Sequence, residues 1–467
     1  MGSATEYNRR DIFKRAAAIT VMAAGGGSLL AACAGGTGSS TDNKSSAPTG
    51  GGSASNPFGV KASDPLDVVI FKGGYGDDYA KAFEDIYKGK YSGANVSHLG
   101  TTEISGKLQP RFNSNTPPDV VDNSGAQQMK QDVLAKAGQL TELTPLLDAP
   151  YLDDPTKKIR DVLLPGTIES GTIDGKVWSL NYVYTVYGLW YSAKLFKDKG
   201  WTPPKTWDDF ITLCGTIKAA GIAPFAHQGK YPYYANYVLF DLIAKQGGTD
   251  LFTKLNNCDP TAYDDPAVLA GVNAFYQIMD KDYLLPGTNG MTHTESQTAW
   301  CNGKAAFIPS GSWLENEMLK VTPADFDMAF LPIPSLPGDK MPATALRAGA
   351  GEPFIVPAKA KNAAGGLEFL RIMLTKEASG KFAAAANSLS VLKDGVGADV
   401  VLKPGTKSSS TALTAAGSNT FYYTIQDLQT DFETALEAAT ADLCAKRTDP
   451  AGWIKTVKAA AAKVKPA

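Results

Sequence analysis

The stretch LDVVIFKGGYGDDYAKAFEDIY, residues 66–87, contains the strand–loop–helix unit from which the fold of this chain can be predicted. Its first six residues, Leu66–Phe71, form an apolar run that predicts a buried strand and ends just before Gly73 and Gly74. A helix-like segment follows over residues 78–87. A strand, a glycine loop and a helix in this order are typical of an α/β protein.

The same unit recurs further along the chain. Residues 118–122, PDVVD, lead through a turn into a predicted helix over residues 128–137, and residues 305–308, AAFI, lead into another at residues 313–317. This alternation predicts a parallel sheet with helices on both faces. Ligands of such sheets bind at the carboxyl ends of the strands. The site loops predicted by that rule are residues 73–78, 123–127 and 310–313.

The N-terminus has the features of an export signal. Basic residues between positions 9 and 15 precede an apolar run at residues 16–30, which is too short for a permanent membrane span. The sequence LAAC at residues 30–33 matches a bacterial lipobox, so residues 1–32 are predicted to be removed and Cys33 to be lipidated. A flexible tether over residues 33–57 follows. We therefore expect a protein exported by the Tat or Sec route and lipid-anchored to the outer face of the cytoplasmic membrane.

Composition excludes several classes of function. The formal net charge of −2 over 467 residues gives no reason to expect a nucleic-acid partner. No phosphate loop, dinucleotide fingerprint or G-x-S-x-G elbow is present, so no cofactor is implied. The histidines are far apart, and we predict no metal site. Four cysteines remain in the mature chain and permit two disulfides, in any of three pairings: Cys214, Cys258, Cys301 and Cys444.

Tyrosines cluster in GKYPYYANYVLF, residues 229–240. Tyr237 begins a stripe of apolar residues at helical spacing, which predicts a buried position on a helix. Tyr231, Tyr233 and Tyr234 come earlier, beside Pro232, where the chain enters that helix. These rings either pack in the core or bind a ligand, and the pattern alone leaves both alternatives open.

Four longer stretches identify a family. Residues 174–196 (DGKVWSLNYVYTVYGLWYSAKLF), 206–210 (TWDDF), 303–307 (GKAAF) and 311–313 (GSW) resemble the maltose-binding-like substrate-binding proteins of ABC importers. The stretches NPFGV, FKGGYGDDYA, LQPRF, GSWLENEM and EPFIVPAK are similar to a narrow actinobacterial group of that family, the NgcE type. The resemblance covers the chain from about residue 57 to its C-terminus.

The resemblance implies a periplasmic-binding-protein-like fold of two α/β lobes. About three hinge crossings would join them, near residues 180–182, 350–356 and 410–420. The first lobe would comprise residues 58–180 plus 357–410, and the second residues 182–350 plus 420–467. The implied ligand is N-acetylglucosamine or N,N′-diacetylchitobiose, and the implied partners are ABC permease subunits. We expect a monomer.

A sugar needs flat aromatic faces and a few polar groups, which selects the site residues. Trp313, at the G-x-W position, ranks first, and its alternative role is to cap a helix against the core. Tyr231 and Tyr237 are assigned to the core, and Asn123 and Glu352 have alternative roles in a turn and in the hinge. The full set of predicted ligand-binding residues is Trp313, Tyr233, Tyr234, Asn236, Tyr182, Tyr184, Tyr422, Tyr423, Tyr75, Asp77, Asn123, Gln127 and Glu352.

The predicted activity is capture by hinge closure and not catalysis. Three alternatives stay open at this stage. The first is a binding protein for a different oligosaccharide. The second is a secreted glycoside hydrolase, which would need two acids facing each other across the cleft, one with a raised pKa. The third is a surface lectin without large closure.

Overall fold

A computed structural model describes residues 53–395, 400–425 and 429–464. The predicted signal peptide, Cys33 and most of the tether lie outside these residues. The strands are β1 (Leu66–Phe71), β2 (Val96–Thr101), β3 (Val120–Asp122), β4 (Thr172–Ile173), β5 (Lys176–Val177), β6 (Leu180–Ser192), β7 (Ala223–Phe225), β8 (Ala305–Gly311), β9 (Met328–Leu331), β10 (Leu346–Ile355), β11 (Leu389–Ser390) and β12 (Thr420–Phe421).

Helices cover most of the remaining described chain. They are α1 (Asp78–Lys90), α2 (Ile104–Asn113), α3 (Gln131–Lys136), α4 (Thr144–Asp148), α5 (Thr167–Ser170), α6 (Ala193–Lys199), α7 (Trp207–Ala219), α8 (Tyr233–Asn256), α9 (Pro266–Asp280), α10 (His293–Cys301), α11 (Leu314–Glu317), α12 (Ala363–Met373), α13 (Lys376–Ala386), α14 (Pro404–Ala416), α15 (Thr430–Cys444) and α16 (Pro450–Ala461). Short 3₁₀ helices lie at Ile159–Val162, Pro260–Asp264 and Thr288–Gly290.

The predicted strand–loop–helix units are present. Strand β1 has the predicted bounds, and helix α1 follows it directly. The TWDDF motif starts helix α7, because the Thr206 side chain accepts a hydrogen bond from the backbone N–H of Asp209 and so satisfies a free donor of the first turn.

The main sheet has the strand order β2-β1-β3-β10-β6-β8-β7. Pairing is parallel at its ends, where β1 lies between β2 and β3 and β7 lies beside β8. Pairing is antiparallel in the middle, where β10 lies between β3 and β6, and β6 also pairs with β8. The predicted parallel pairing is therefore found only at the ends of the sheet, because two long strands run through its centre antiparallel to their neighbours.

These two long strands connect two lobes, a first lobe that contains β1–β3 and a second that contains β7 and β8. The early residues of β6 pair with β10, and its residues 187–190 pair with β8. Strand β10 pairs with β12 at its start and with β3 at its end. Large apolar cores surround the strands, one of them built on α1, α12 and α13 and another on α7, α8, α9, α15 and α16. The exact limits of the lobes stay predictions.

The four cysteines of the described chain are free and buried, so neither permitted disulfide is formed there: Cys214, Cys258, Cys301 and Cys444. They pack as small apolar side chains in the cores. Among the helices that the structure describes, none has both the length and the hydropathy that crossing a membrane requires.

Candidate functional site

A cavity of about 260 Å³ lies between the two lobes. Both lobes and both long strands contribute to its walls. The lining residues are Phe71, Gly74, Tyr75, Ser124, Gly125, Ala126, Gln128 and Lys130 from the first lobe, Tyr187, Gly351, Glu352 and Pro353 from β6 and β10, and Tyr231, Tyr233, Tyr234, Tyr237, His293, Trp313, Glu317, Tyr422, Glu433 and Glu437 from the second-lobe side.

The strand ends position this cavity. Gly74 and Tyr75 follow β1, Ser124 follows β3, and Trp313 follows β8. All three loops that the strand-end rule selects therefore line the cavity.

Aromatic rings form one wall. The ring of Trp313 stands nearly perpendicular to those of Tyr187 and Tyr234, at centroid distances of 5.7 Å and 6.3 Å. Tyr233 stacks on Tyr234 with centroids 4.5 Å apart. Edge-to-face and offset contacts of this kind are the preferred arrangements of aromatic rings, so the wall is held without help from a ligand.

The tyrosines of residues 229–240 belong to this wall. Helix α8 begins at Tyr233, and Tyr237 lies one turn further on the same face. Tyr231 precedes the helix, and its ring centroid lies 5.4 Å from that of His293. Tyr237 is buried, as predicted, and Tyr231 packs against the same aromatic cluster, but both also line the cavity because the face of the first turn of α8 is turned towards it.

Arg347 lies behind the aromatic wall. Its guanidinium carbon is 4.5 Å from the ring centroid of Tyr187 and 4.6 Å from that of Tyr237, both within the range of cation–π attraction. The side chain is fully buried. Burial raises the pKa of the neighbouring Asp241 to about 7, although the positive charges of Arg347 and Lys245 favour its ionised form.

Two acidic groups lie on the opposite side, the half-buried Glu352 and the buried Asp122. Burial, and then the charge of Asp122, raise the pKa of Glu352 well above its usual range. Asp122 accepts hydrogen bonds from the hydroxyls of Tyr79, at 2.9 Å, and of Ser124. Glu352 has a backbone φ of +59°, a conformation that residues other than glycine rarely adopt.

Three further glutamates reach the cavity. Glu317 lies beside His293, with Oε1 3.4 Å from Nε2. Glu433 and Glu437 come from helix α15. Burial raises the pKa of Glu437, whereas its hydrogen bond with Glu433 and the positive charge of Lys130 lower that pKa. Sequence reasoning missed these groups because they lie on helix surfaces with no local motif.

The structure brings together six of the predicted residues at the cavity: Tyr75, Tyr233, Tyr234, Trp313, Glu352 and Tyr422. Asn123 and Gln127 are close in sequence to the lining but do not reach it. The side-chain amide of Asn123 makes two 2.8 Å hydrogen bonds to the backbone of Met129, which is the alternative turn role. Gln127 is exposed, and its neighbour Gln128 lines the cavity instead.

Five predicted residues are buried away from the cavity. Asp77 forms an ion pair of 3.0 Å with Lys72. The Tyr182 hydroxyl donates a hydrogen bond of 3.0 Å to the carbonyl of Met373, in the core built on α1, α12 and α13. Tyr184 is buried in β6 opposite the short strand β11.

The other two of these five lie in the second lobe. Asn236 accepts a hydrogen bond of 2.8 Å from Thr440, and the ring of Tyr423 packs against Phe240 at 4.4 Å. Both side chains thus contact core partners, and neither lines the cavity. Within the described ranges, the structure contains no group of three or more His, Cys, Asp or Glu side chains that could hold a metal ion.

Similar proteins share this architecture. The chain is 40% identical over 374 residues to the diacetylchitobiose binding protein NgcE of Streptomyces coelicolor, a match that covers 79% of each chain. It is 26% identical over 280 residues to the multiple sugar-binding protein of Streptococcus mutans, covering 59% of this chain and 63% of that one. A solved chitin oligosaccharide binding protein has the same fold, with a TM-score of 0.66 at 23% identity over 83% of this chain and 93% of that one.

A family model also matches the chain. Residues 77–380 match the model of the bacterial extracellular solute-binding proteins, and that segment includes both long strands and most of the cavity. The resemblance inferred from the sequence motifs and the two-lobed α/β fold class are thus confirmed. The chain belongs to the bacterial extracellular solute-binding protein family.

Proposed function

We propose that this protein is the substrate-binding lipoprotein of an ABC sugar importer, which captures N-acetylglucosamine or N,N′-diacetylchitobiose. The observation that carries this function is the aromatic-walled cavity between the lobes. A relative that is 40% identical over most of both chains, and that is a diacetylchitobiose binding protein, supports the choice of sugar.

The cavity has the chemistry that an acetylated sugar requires. A pyranose ring presents apolar C–H faces, which pack on aromatic rings such as those of Trp313 and Tyr234. Its hydroxyl and acetamido groups need hydrogen-bonding partners, which Gln128, Ser124 and Glu352 offer on the opposite side.

Closure of the lobes is the proposed mechanism. Strands β6 and β10 pair with strands of both lobes and form two of the three proposed crossings, so bending within them would open the cavity. Polar contacts between the lobes include two at the cavity side of the structure. The Asn316 side chain donates a hydrogen bond of 2.6 Å to the Gly74 carbonyl, and the Thr430 hydroxyl donates one of 3.0 Å to Asp132.

Delivery requires partners outside this chain. We propose that the closed form docks on ABC permease subunits and that lipidated Cys33 and the tether hold the protein at the outer face of the cytoplasmic membrane. The sequence has no phosphate loop, so the ATPase would be a separate chain. The protein is proposed to act as a monomer and without catalysis.

Isothermal titration calorimetry of the purified protein tests the function. N-acetylglucosamine, diacetylchitobiose, maltose and cellobiose are titrated in turn, and each mixture is then analysed for hydrolysis products. Saturable binding of the two acetylated sugars with no products is the expected result. Binding of maltose or cellobiose alone would replace the substrate and keep the carrier function.

The product analysis matters because one observation favours a hydrolase. Four glutamates line the cavity, and one of them, Glu352, has a strongly raised pKa, as the acid of a glycoside hydrolase does. Release of N-acetylglucosamine from diacetylchitobiose would therefore establish a glycoside hydrolase and overturn the carrier function.

A further inference from the structure

Glu315 is a buried glutamate that does not line the cavity but lies next to its aromatic wall. It belongs to helix α11, two residues after Trp313, and only 6% of it is exposed. A carboxylate is costly to bury unless hydrogen-bond donors surround it. The donors around Glu315 therefore indicate what the residue does.

Glu315 binds the first turn of helix α14. Its Oε1 accepts a hydrogen bond of 2.8 Å from the backbone N–H of Gly405, and its Oε2 accepts one of 2.7 Å from that of Thr406. Helix α14 has no capping bond from the side chain of Lys403, and Pro404 has no N–H. Glu315 thus takes the place of an N-cap residue, and the helix dipole favours its negative charge there.

The approach of Glu315 to α14 is close. A β-carbon built on Gly405 would lie 3.0 Å from Cδ of Glu315 and 3.1 Å from each carboxylate oxygen. A side chain at position 405 would therefore push the carboxylate away by a few tenths of an ångström.

Asn387 reaches the same carboxylate from the first lobe. It ends helix α13, which packs against α1, and its side-chain amide donates a hydrogen bond of 3.0 Å to Oε2 of Glu315. Its amide oxygen accepts a bond of 3.0 Å from the backbone N–H of Lys403. Three parts of the chain therefore meet at Glu315, namely the end of α13, the start of α14 and the turn after β8.

Helix α14 belongs to the proposed third hinge crossing. It packs along β9, which pairs with the second-lobe end of β6, and it leads to β12, which pairs with the start of β10. The Ser408 hydroxyl of α14 accepts a hydrogen bond of 3.1 Å from the backbone N–H of Phe330 in β9. The contact with Glu315 thus ties this crossing to the turn that carries Trp313.

The other residues of this turn face the cavity and the opposite lobe. Trp313 and Glu317 line the cavity, and Asn316 donates its bond to the Gly74 carbonyl of the first lobe. The backbone N–H of Glu317 donates a hydrogen bond of 3.0 Å to the carbonyl of Trp313, which closes the turn. A displacement of Glu315 would therefore move Trp313 as well.

We propose that Glu315 is a positioning residue for sugar binding, which anchors the turn that carries Trp313 to the start of the third hinge crossing. This inference rests on the proposed sugar-binding function. Glu315 acts through Trp313, whose ring it holds in place while the lobes open and close. The aromatic platform is then formed before sugar arrives, and binding does not have to order it.

A double-mutant cycle, measured by calorimetry with diacetylchitobiose, tests the coupling. Glu315→Ala leaves the first turn of α14 without its acceptor and should lower affinity about tenfold. In a Trp313→Ala background the same change should lower affinity less than about twofold, because the ring that Glu315 positions is absent. Glu315→Gln keeps the side-chain volume and one acceptor oxygen, so it should bind more tightly than Glu315→Ala. It replaces Glu315→Ala in the cycle if that variant does not fold.

Asp449→Ala is the matched control. It removes a side-chain cap at the exposed start of α16, where Asp449 accepts a hydrogen bond of 2.8 Å from the backbone N–H of Gly452. The variant loses a helix cap, as Glu315→Ala does, but the cap lies outside the cavity lining. It should lose stability and keep wild-type affinity.

Fluorine NMR of the sugar-free protein, labelled with fluorotryptophan, adds a readout that does not depend on the ligand. The resonance of Trp313 is the one that Trp313→Phe lacks. It should shift or broaden in Glu315→Ala, or in Glu315→Gln where that variant is used, and should stay unchanged in Asp449→Ala.

Two results would overturn the inference. An equal loss of affinity in both backgrounds means that Glu315 acts through stability alone, and an unchanged Trp313 resonance means that the turn keeps its place without the anchor. If none of the tested sugars binds, the proposed function fails, and the fluorine spectra still decide whether Glu315 positions Trp313.

Discussion

The backbone of Gly74 packs directly against the side chain of Trp313. A β-carbon built on Gly74 would lie 3.0 Å from the β-carbon of Trp313, closer than ordinary van der Waals contact. Gly74 belongs to the loop after β1 and Trp313 to the loop after β8, so this contact joins the two lobes at the edge of the cavity. A side chain at position 74 would therefore push the two loops apart by a few tenths of an ångström.

Replacement of Gly74 by alanine should weaken sugar binding without unfolding the protein. The added methyl group separates the loops only when the lobes are closed, so the open form is not penalised. We expect a loss of about tenfold in affinity, which corresponds to about 1.4 kcal/mol. Calorimetry gives the affinity, and small-angle X-ray scattering with saturating sugar gives the closure.

Gly89→Ala in helix α1 is the matched control, because a β-carbon there meets no atom within 4 Å. It should keep wild-type affinity, and its stability should rise slightly since alanine is the better helix former. Wild-type affinity and compaction in Gly74→Ala would show that the loops do not need to touch when sugar is bound.

Trp313→Ala should lower sugar affinity more strongly than any loop change. Truncation removes a ring that contacts Tyr187 and Tyr234 and that is proposed to pack on the sugar. A central aromatic residue of a binding site typically contributes about 2 kcal/mol or more, so we expect a loss of at least about thirtyfold. Trp313→Phe should recover part of it.

The control for this change is Trp178→Ala. Trp178 is partly buried against a core of the first lobe and donates a hydrogen bond of 3.2 Å to the carbonyl of Ile173. Its loss should reduce stability and leave affinity unchanged. Equal losses of affinity in both variants, measured by calorimetry, would mean that Trp313 acts through general stability and not through the sugar.

Arg347→Met should destabilise the protein in a pH-dependent way. The substitution removes the positive charge of Arg347, which favours the ionised form of the buried Asp241 more strongly than that of Lys245 does, so an ionised Asp241 becomes more costly to bury. Burial already raises the folded-state pKa of Asp241 to about 7, so its ionisation lowers stability as the pH rises from the unfolded pKa. The deficit of the variant should therefore be largest at alkaline pH and smallest in acid.

Urea unfolding across the pH range measures this effect. The double variant with Asp241→Asn removes the uncompensated charge and should recover stability at alkaline pH. Affinity should fall as well, because the guanidinium supports the rings of Tyr187 and Tyr237. A deficit that does not change with pH would mean that Asp241 is not the group left unpaired.

The sequence predicted those parts of the molecule that depend on local pattern. Strand β1, the loops after β1, β3 and β8, and the aromatic entry to α8 follow from hydrophobic period and from glycine and proline positions. Arg347 and Glu433 could not be found in this way, because only the tertiary fold brings them to the cavity. The turn at Asn123 shows the converse, since a local hydrogen bond outweighed the ligand role.

Protonated His98 should stabilise the first lobe in acid. A variant with a neutral side chain at position 98 should therefore be less stable than wild type there. Its ring nitrogens lie 2.5 Å from a carboxylate oxygen of Glu84 and 3.3 Å from one of Asp77. The bond to Glu84, and then the negative charges of both acids, raise the pKa of His98. A raised folded-state pKa adds stability that is fully present below the unfolded pKa of about 6.5 and is lost as the pH rises through the folded value.

His98→Gln should therefore be less stable than wild type at about pH 5.5, and the difference should shrink by about pH 9, as urea unfolding can show. His227→Gln supplies a contrast of opposite sign. Burial lowers the pKa of His227 to about 4, so the wild-type residue costs stability as the pH falls below about 6.5. The deficit of His227→Gln should thus be smaller in acid than in alkali. If both variants lose stability with the same pH dependence, the carboxylates around His98 do not hold a protonated imidazole.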